Sequence, residues 1–137
     1  MIVVDTNVLA YLWIPGEMTD HAEKALRIDP VWAAPFLWRS EFRSVLAGCI
    51  RRGHMTMETA LKAIEGAELL LKGQEYTVPA DKVMKRVAQS ACSAYDCEFV
   101  ALANDLGAPL VTADDLVLRE FPSIAIALRD FAGRRAS

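Results

Sequence analysis

The fold is announced by residues 1–17, MIVVDTNVLAYLWIPGE. Ile2 to Val4 is a short β-branched run closed by Asp5, a helix-compatible stretch follows at once from Thr6 to Trp13, and Pro15-Gly16 stops it. This is strand, turn, helix, with an acid at the turn.

The alternation continues along the chain. A helix is expected over about Asp20 to Arg27, and a short buried strand over Val31 to Ala33 before Pro35. From Trp38 to Arg52, the residues Trp38, Phe42, Val45, Leu46 and Cys49 recur at helical spacing, and Gly53 follows as a stop. Thr56 opens another helix, with Met57, Ala60, Leu61, Ile64, Ala67 and Leu71 on one face up to Gly73, so the two form a helical hairpin. Tyr76 to Val78 is strand-like, Asp81 to Ser90 is helical, and Ser93 to Leu106 is an amphipathic helix ending at Gly107. Pro109 to Val111 is a strand, Thr112 to Glu120 starts a helix, and Ile124 to Leu128 fits a last strand. Strands alternating with helices define an α/β chain with a parallel sheet covered on both faces.

At 137 residues the chain has the size of one domain, and no repeat, low-complexity run or Gly/Ser linker divides it. Hydrophobic residues make up 53% and charged residues 24%, which excludes intrinsic disorder. A fold of this length buries roughly 70% of the surface of its unfolded chain and needs no disulfide or zinc staple. Cys49, Cys92 and Cys97 contain no C-x-x-C pair and, with only His21 and His54 beside them, match no zinc spacing, so they are expected as reduced core thiols. The amino terminus has no basic n-region, carries Asp5 and is too short to span a bilayer; a soluble, cytoplasmic protein is expected, with no membrane partner. The net charge of -3 supplies no global positive field, so a nucleic-acid partner must be held by local patches or by metal.

Four acids interrupt the core pattern. Asp5 lies at the carboxyl end of the first strand, where open parallel sheets build clefts, although a plain N-cap is also a common role for Asp. Glu41 borders the apolar face of its helix and needs a partner; Arg39, Arg43 or Arg52 would supply one in a structural ion pair. Asp96 shares a face with Phe99, Val100 and Ala103, but Ser93-x-x-Asp96 also reads as a capping box. In Thr112-Ala113-Asp114-Asp115, Thr112 is a candidate cap with Asp115 completing the box.

A doubly wound arrangement brings Asp5, Asp96 and Asp114 toward one edge of the sheet, and Glu41 is placed to join them from its helix. Two carboxylates 4 Å apart repel by roughly 1 kcal/mol at the dielectric of water and by several when partly buried, so such a cluster calls for a cation. All-oxygen sites suit Mg²⁺ or Mn²⁺ rather than Zn²⁺, and Mg²⁺ binds phosphate oxygens alongside one or two carboxylates. Phosphodiester hydrolysis is the chemistry this favours, with no need of a histidine base.

VVDTNVLAYL, WRSEFRSVL with Glu41, SAYDCEFVALA with Asp96 and LVTADD with Asp114 together resemble a PIN domain, most nearly the VapC toxins of type II toxin-antitoxin pairs. The resemblance runs from Ile2 to about Phe131, setting a single domain over residues 1–131 and a short polar and basic tail over 132–137. It implies a three-layer fold with a central five-stranded parallel sheet flanked by helices. It also implies a metal-dependent endoribonuclease using Mg²⁺, with Mn²⁺ as a substitute, that leaves 5′-phosphate and 3′-hydroxyl ends on RNA. Asp5, Glu41, Asp96 and Asp114 match the family's acidic quartet, as catalytic and metal-holding residues. Thr6, Asn7 and Thr112 match its supporting polar positions, and Asp115 is an extra ligand, a supporting group or a cap. Cys97 and Phe99 stand where relatives often carry a small residue and a tyrosine. A homodimer and a VapB-like antitoxin that packs over the acids are the implied partners.

For RNA, the local cations are Arg39, Arg43, Arg51 and Arg52; Lys82, Lys85 and Arg86; and Arg134 and Arg135. None shows the interleaved aromatics of a stacking platform, and no substrate-binding residue is assigned. Trp13, Trp32 and Trp38 are expected in the core. A catalytically silent PIN-like binding or scaffolding module is the alternative. An aspartyl-phosphate phosphatase commonly needs a second Asp two positions after the first, where this chain has Asn7.

Overall fold

The computed structural model describes residues 1–134, with residues 135–137, including Arg135 and the end of the expected tail, outside the described residues. The chain runs β1 (Ile2–Val4), α1 (Thr6–Trp13), α2 (Thr19–Ile28), β2 (Trp32–Pro35), α3 (Trp38–Arg51), α4 (Met57–Leu70) and β3 (Glu75–Tyr76). It continues through α5 (Ala80–Ala88), α6 (Ala94–Leu106), β4 (Leu110–Thr112), α7 (Asp115–Glu120), β5 (Ala125–Ala127) and α8 (Leu128–Ala132).

The five strands form one parallel sheet in the order β3-β2-β1-β4-β5. Val3 pairs with Ala33 on one side and Leu110 on the other, so β1 is the central strand, and its three residues are buried throughout. The chain steps outward from β1 to β2 to β3, then returns past β1 to β4 and β5. Right-handed crossovers therefore place α1 to α4 on one face and α5 and α6 on the other, giving three layers. Packing agrees: α6 lies across β1, β2 and β4 with α5 against it, while α1 packs on α2 and α3, and α8 on α2. The direction of the winding reverses between β1 and β4, which is where ligand clefts open in such sheets.

Trp32, Trp38, Phe42 and Phe99 are the largest fully buried side chains. Burial of one such ring is worth about 3 kcal/mol, which offsets the ordering of about two residues of backbone. Trp13 is half-buried, edge-on to Phe42 at 6.4 Å. The three cysteines are free and buried.

Several local expectations are corrected. The residues after β5 turn into α8 instead of continuing as a strand through Leu128, because Leu128 and Phe131 turn inward at helical spacing. Strand β2 extends through Pro35, whose missing N–H costs the β2–β3 ladder nothing because the donors to β3 are its neighbours, Ala34 to the Gln74 carbonyl and Phe36 to the Tyr76 carbonyl, each at 3.1 Å. The buried face of α4 is Ala60, Ala63 and Ala67, while Met57 and Leu61 are exposed, and Val45 of α3 is exposed too. The arginines do not pair with Glu41. Arg39 grips Glu75 at 2.6 and 2.8 Å and reaches Glu68 at 3.2 Å, and the Trp38 indole N–H donates to the same Glu75 at 2.8 Å. This fork fastens the two-residue edge strand β3 to α3. No helix among the described residues is long and apolar enough to cross a membrane.

Candidate active site

Asp5 immediately follows β1, and its carboxylate caps α1: Oδ1 accepts from the Thr6 N–H at 2.8 Å. Oδ2 accepts from the Thr112 hydroxyl at 2.7 Å, a bond between the carboxyl ends of adjacent strands β1 and β4. Thr112 is fully buried and its hydroxyl is saturated, because the Asn7 Nδ2 and the Asp114 N–H both donate to it, at 3.4 and 3.0 Å. The Asn7 Oδ1 in turn accepts from the Ala113 N–H at 3.3 Å. Thr112 is thus a strand-end clamp and not the helix cap. Asp114 takes that role, with Oδ1 accepting from the Val117 N–H at 3.0 Å.

Glu41 sits in the first turn of α3, and its Oε1 accepts from the Thr6 hydroxyl at 2.8 Å. Asp96 sits in the first turn of α6, whose cap Ser93 accepts from the Asp96 N–H at 3.1 Å. One open cavity of about 390 Å³ is lined by Asp5, Thr6, Asn7, Glu41, Asp96 and Asp114, together with Ser44 and Val45 of α3. All four acids of the quartet and two of the supporting residues therefore meet in one place, with Thr112 directly behind Asp5. Asp115 does not line this cavity; it is exposed beside a neighbouring one. Neither histidine lines the acidic cavity.

The charge is uncompensated. Among the described residues no lysine or arginine forms an ion pair with any of the four acids. Burial pushes the Asp5 carboxyl up to about 6, opposed by its bonds to Thr112 and Thr6 and reinforced by the charges of Asp96 and Glu41. Glu41 is raised by burial and by the charges of Asp96 and Glu98, against the Thr6 bond. Asp96 is raised by burial and then by Asp114. Burial leads each of these shifts and like charge adds to it, and a cation placed among the acids would relieve both.

In their present side-chain conformations no three His, Cys, Asp or Glu among the described residues close on a single point as a metal cage. The donor set is nonetheless all oxygen, and each Asp5 oxygen spends one acceptor site on the protein and keeps another. That suits an ion that takes one or two carboxylates and keeps waters for its remaining positions, as Mg²⁺ does.

Ser44 and Glu98 were not singled out by sequence. Ser44 was visible in principle, lying three residues after Glu41 and so on the same helix face. Glu98 had no such signal, since its charge reaches Glu41 only because the sheet brings the first turns of α3 and α6, from opposite faces, toward the same strand ends. Of the cation clusters, Arg39 is spent on Glu75 and Glu68, and Lys82 on Asp105 at 2.8 Å, whereas Arg43, Arg51, Arg52 and Lys85 are exposed. Arg134 lies over the Phe131 ring.

A parallel sheet in this order, with acids gathered where its winding reverses, is the arrangement of a PIN domain, and the family model for the PIN domain matches residues 2–122. The chain belongs to the PIN-domain family. It is similar to Ribonuclease VapC3 of Pyrobaculum aerophilum, 27% identical over 128 residues that span 90% of this chain and 96% of that protein. Its fold is similar to that of a solved toxin-antitoxin complex from Klebsiella pneumoniae, with a TM-score of 0.62 at 18% identity, covering 93% of this chain and 98% of that one.

Proposed function

We propose that this protein is a VapC-like, Mg²⁺-dependent endoribonuclease, the toxin of a toxin-antitoxin pair, leaving 5′-phosphate and 3′-hydroxyl ends. The carrying observation is the uncompensated carboxylate quartet in one cavity at the reversal of the sheet winding. Similarity to a VapC ribonuclease supports the choice of RNA, and similarity in fold to a toxin-antitoxin complex is consistent with an antitoxin partner. A homodimer and a cytoplasmic location complete the proposal.

Asp5, Glu41, Asp96 and Asp114 would hold the ion, with Mn²⁺ as a substitute. A bound divalent ion would polarise the scissile phosphate, lower the pKa of an attacking water and neutralise the leaving oxygen. The chain's own residues set the stage. Thr112 fixes the orientation of Asp5, Thr6 fixes that of Glu41, and Ser93 fixes the helix end that presents Asp96. Asn7 ties the β4 end to α1, so Asp5 and Asp114 keep their relative positions. Ser44, exposed in the cavity, offers a hydroxyl donor for a phosphate oxygen.

The test is incubation of purified, antitoxin-free protein with a mixture of structured RNAs in Mg²⁺, Mn²⁺ or EDTA, beside Asp96→Asn, with product ends mapped. Cuts bearing 5′-phosphates that need the metal and vanish in a folded Asp96→Asn are the expected result. Identical cuts by both proteins would remove the assignment, and partner binding without any cleavage would favour a silent scaffold.

A further inference from the structure

A second cavity, of about 370 Å³, adjoins the acidic one. Tyr11, Met18, Asp115, Leu118, Arg129 and Asp130 line it. Ala113 is in its wall, while the residues on either side of Ala113 belong to the acidic site: Thr112 clamps Asp5, and Asp114 lines the acidic cavity. The Ala113 N–H is bonded to Asn7, which also faces the acids. The linings of the two cavities therefore meet in the chain at Ala113 and Asp114. A nucleoside attached to a phosphate held at the acids would reach the second cavity by passing over Ala113.

The lining suits a base. Met18 and Leu118 offer apolar surface and Tyr11 an aromatic ring for the face of a heterocycle. The volume falls within the range of small-ligand sites, about 300–1,000 Å³. Asp115 and Asp130 bring carboxylates, which accept hydrogen bonds and donate none. Asp115 makes no hydrogen bond or ion pair among the described side chains, since Asp114 supplies the cap of α7. Arg129 is likewise without an ion pair among the described residues, and it places a donor at the same cavity. Two acceptor carboxylates complement the exocyclic amino groups of cytosine, adenine and guanine. Uracil has no such group.

We propose that this cavity is the subsite for the base flanking the scissile phosphate and that it selects bases carrying an exocyclic amino group over uracil. The assignment deepens the nuclease reading and rests on it. Asp115 then serves specificity, acting on the base rather than at the acidic cluster.

The experiment uses 5′-fluorescein single-stranded RNA pentamers that differ at one position at a time. Binding is read by anisotropy with Ca²⁺ in place of Mg²⁺, oligomers are checked to remain intact, and the same set is then incubated with Mg²⁺. At one position, wild type is expected to bind amino-bearing bases about tenfold more tightly than uracil. Asp115→Asn brings that ratio close to one, and Leu118→Trp, which fills the cavity, weakens all four bases alike; thermal melts establish that both variants fold. No base dependence, no binding by any pentamer, or a preference that survives both variants overturns the proposal. So does a result in which the variants leave RNA untouched and instead weaken an arginine-rich peptide, since the cavity would then dock a protein. Base-dependent binding without Mg²⁺-dependent cleavage keeps the subsite and removes the nuclease reading, whereas cleavage without base dependence does the reverse.

Discussion

The Thr112 hydroxyl donates to Asp5 Oδ2 at 2.7 Å, joining residues 107 positions apart and locking the ends of two neighbouring strands. Through this one oxygen pass the bonds that orient Asp5, Asn7 and the Asp114 backbone.

Thr112→Val keeps the shape and removes the hydroxyl. It leaves a buried carboxylate oxygen, an amide N–H and a backbone N–H short of a partner, so a loss of about 1–3 kcal/mol is expected by urea denaturation. Because the Thr112 bond lowers the Asp5 pKa, the variant should also titrate Asp5 above about 6, as read by carboxyl NMR. An unchanged titration would contradict the clamp.

Asp5 links stability to pH. Its carboxyl stands at about 6 in the fold against an ordinary 3.8, so the native state holds the proton more tightly than the unfolded chain. The resulting stabilisation is fully present below pH 3.8 and is lost as pH rises to about 6, by about 3 kcal/mol. Denaturation in EDTA from pH 4 to 7 should show wild type losing more stability than Asp5→Asn, with Mg²⁺ restoring part of the loss at pH 7. Parallel curves would refute the linkage.

Gly66→Ala tests the packing under α4. An added Cβ would lie 2.7 Å from the Trp13 indole nitrogen and 2.9 Å from its ring carbon Cζ2. In an open helix the change would gain about 1 kcal/mol from propensity; here overpacking outweighs it, and a net loss of about 1–3 kcal/mol is expected, with a shift in Trp13 fluorescence. A more stable variant would show that Trp13 is free to move.

The sequence made the junctions legible where local chemistry decides them. Ser93 before α6 and Gly107 after it, at φ 63°, fix that helix with a side-chain cap and a left-handed stop. Asp5 showed itself as an acid between a buried strand and a helix, and the structure gives it both of the roles open to it, cap and cavity carboxylate. For Thr112 the sequence leaves a cap and a supporting role both open, because its hydroxyl is engaged by a residue 107 positions away, which no local pattern reveals. The α8 helix was hidden because Ile124 to Leu128 is apolar at every position and has no period to distinguish strand from helix. On α4, small alanines turn inward and the larger Met57 and Leu61 turn out, so size misled where hydrophobicity alone was counted.

Direct cation binding is the closest test of the central claim that Asp5, Glu41, Asp96 and Asp114 form one ion site. Mn²⁺ titration followed by electron paramagnetic resonance would be run on wild type, Asp5→Asn and Asp96→Asn, all confirmed folded. Saturable binding by wild type, weakened about tenfold or more in each variant, is the predicted result. Wild-type protein that fails to bind Mn²⁺, or variants that bind it equally well, would contradict the account.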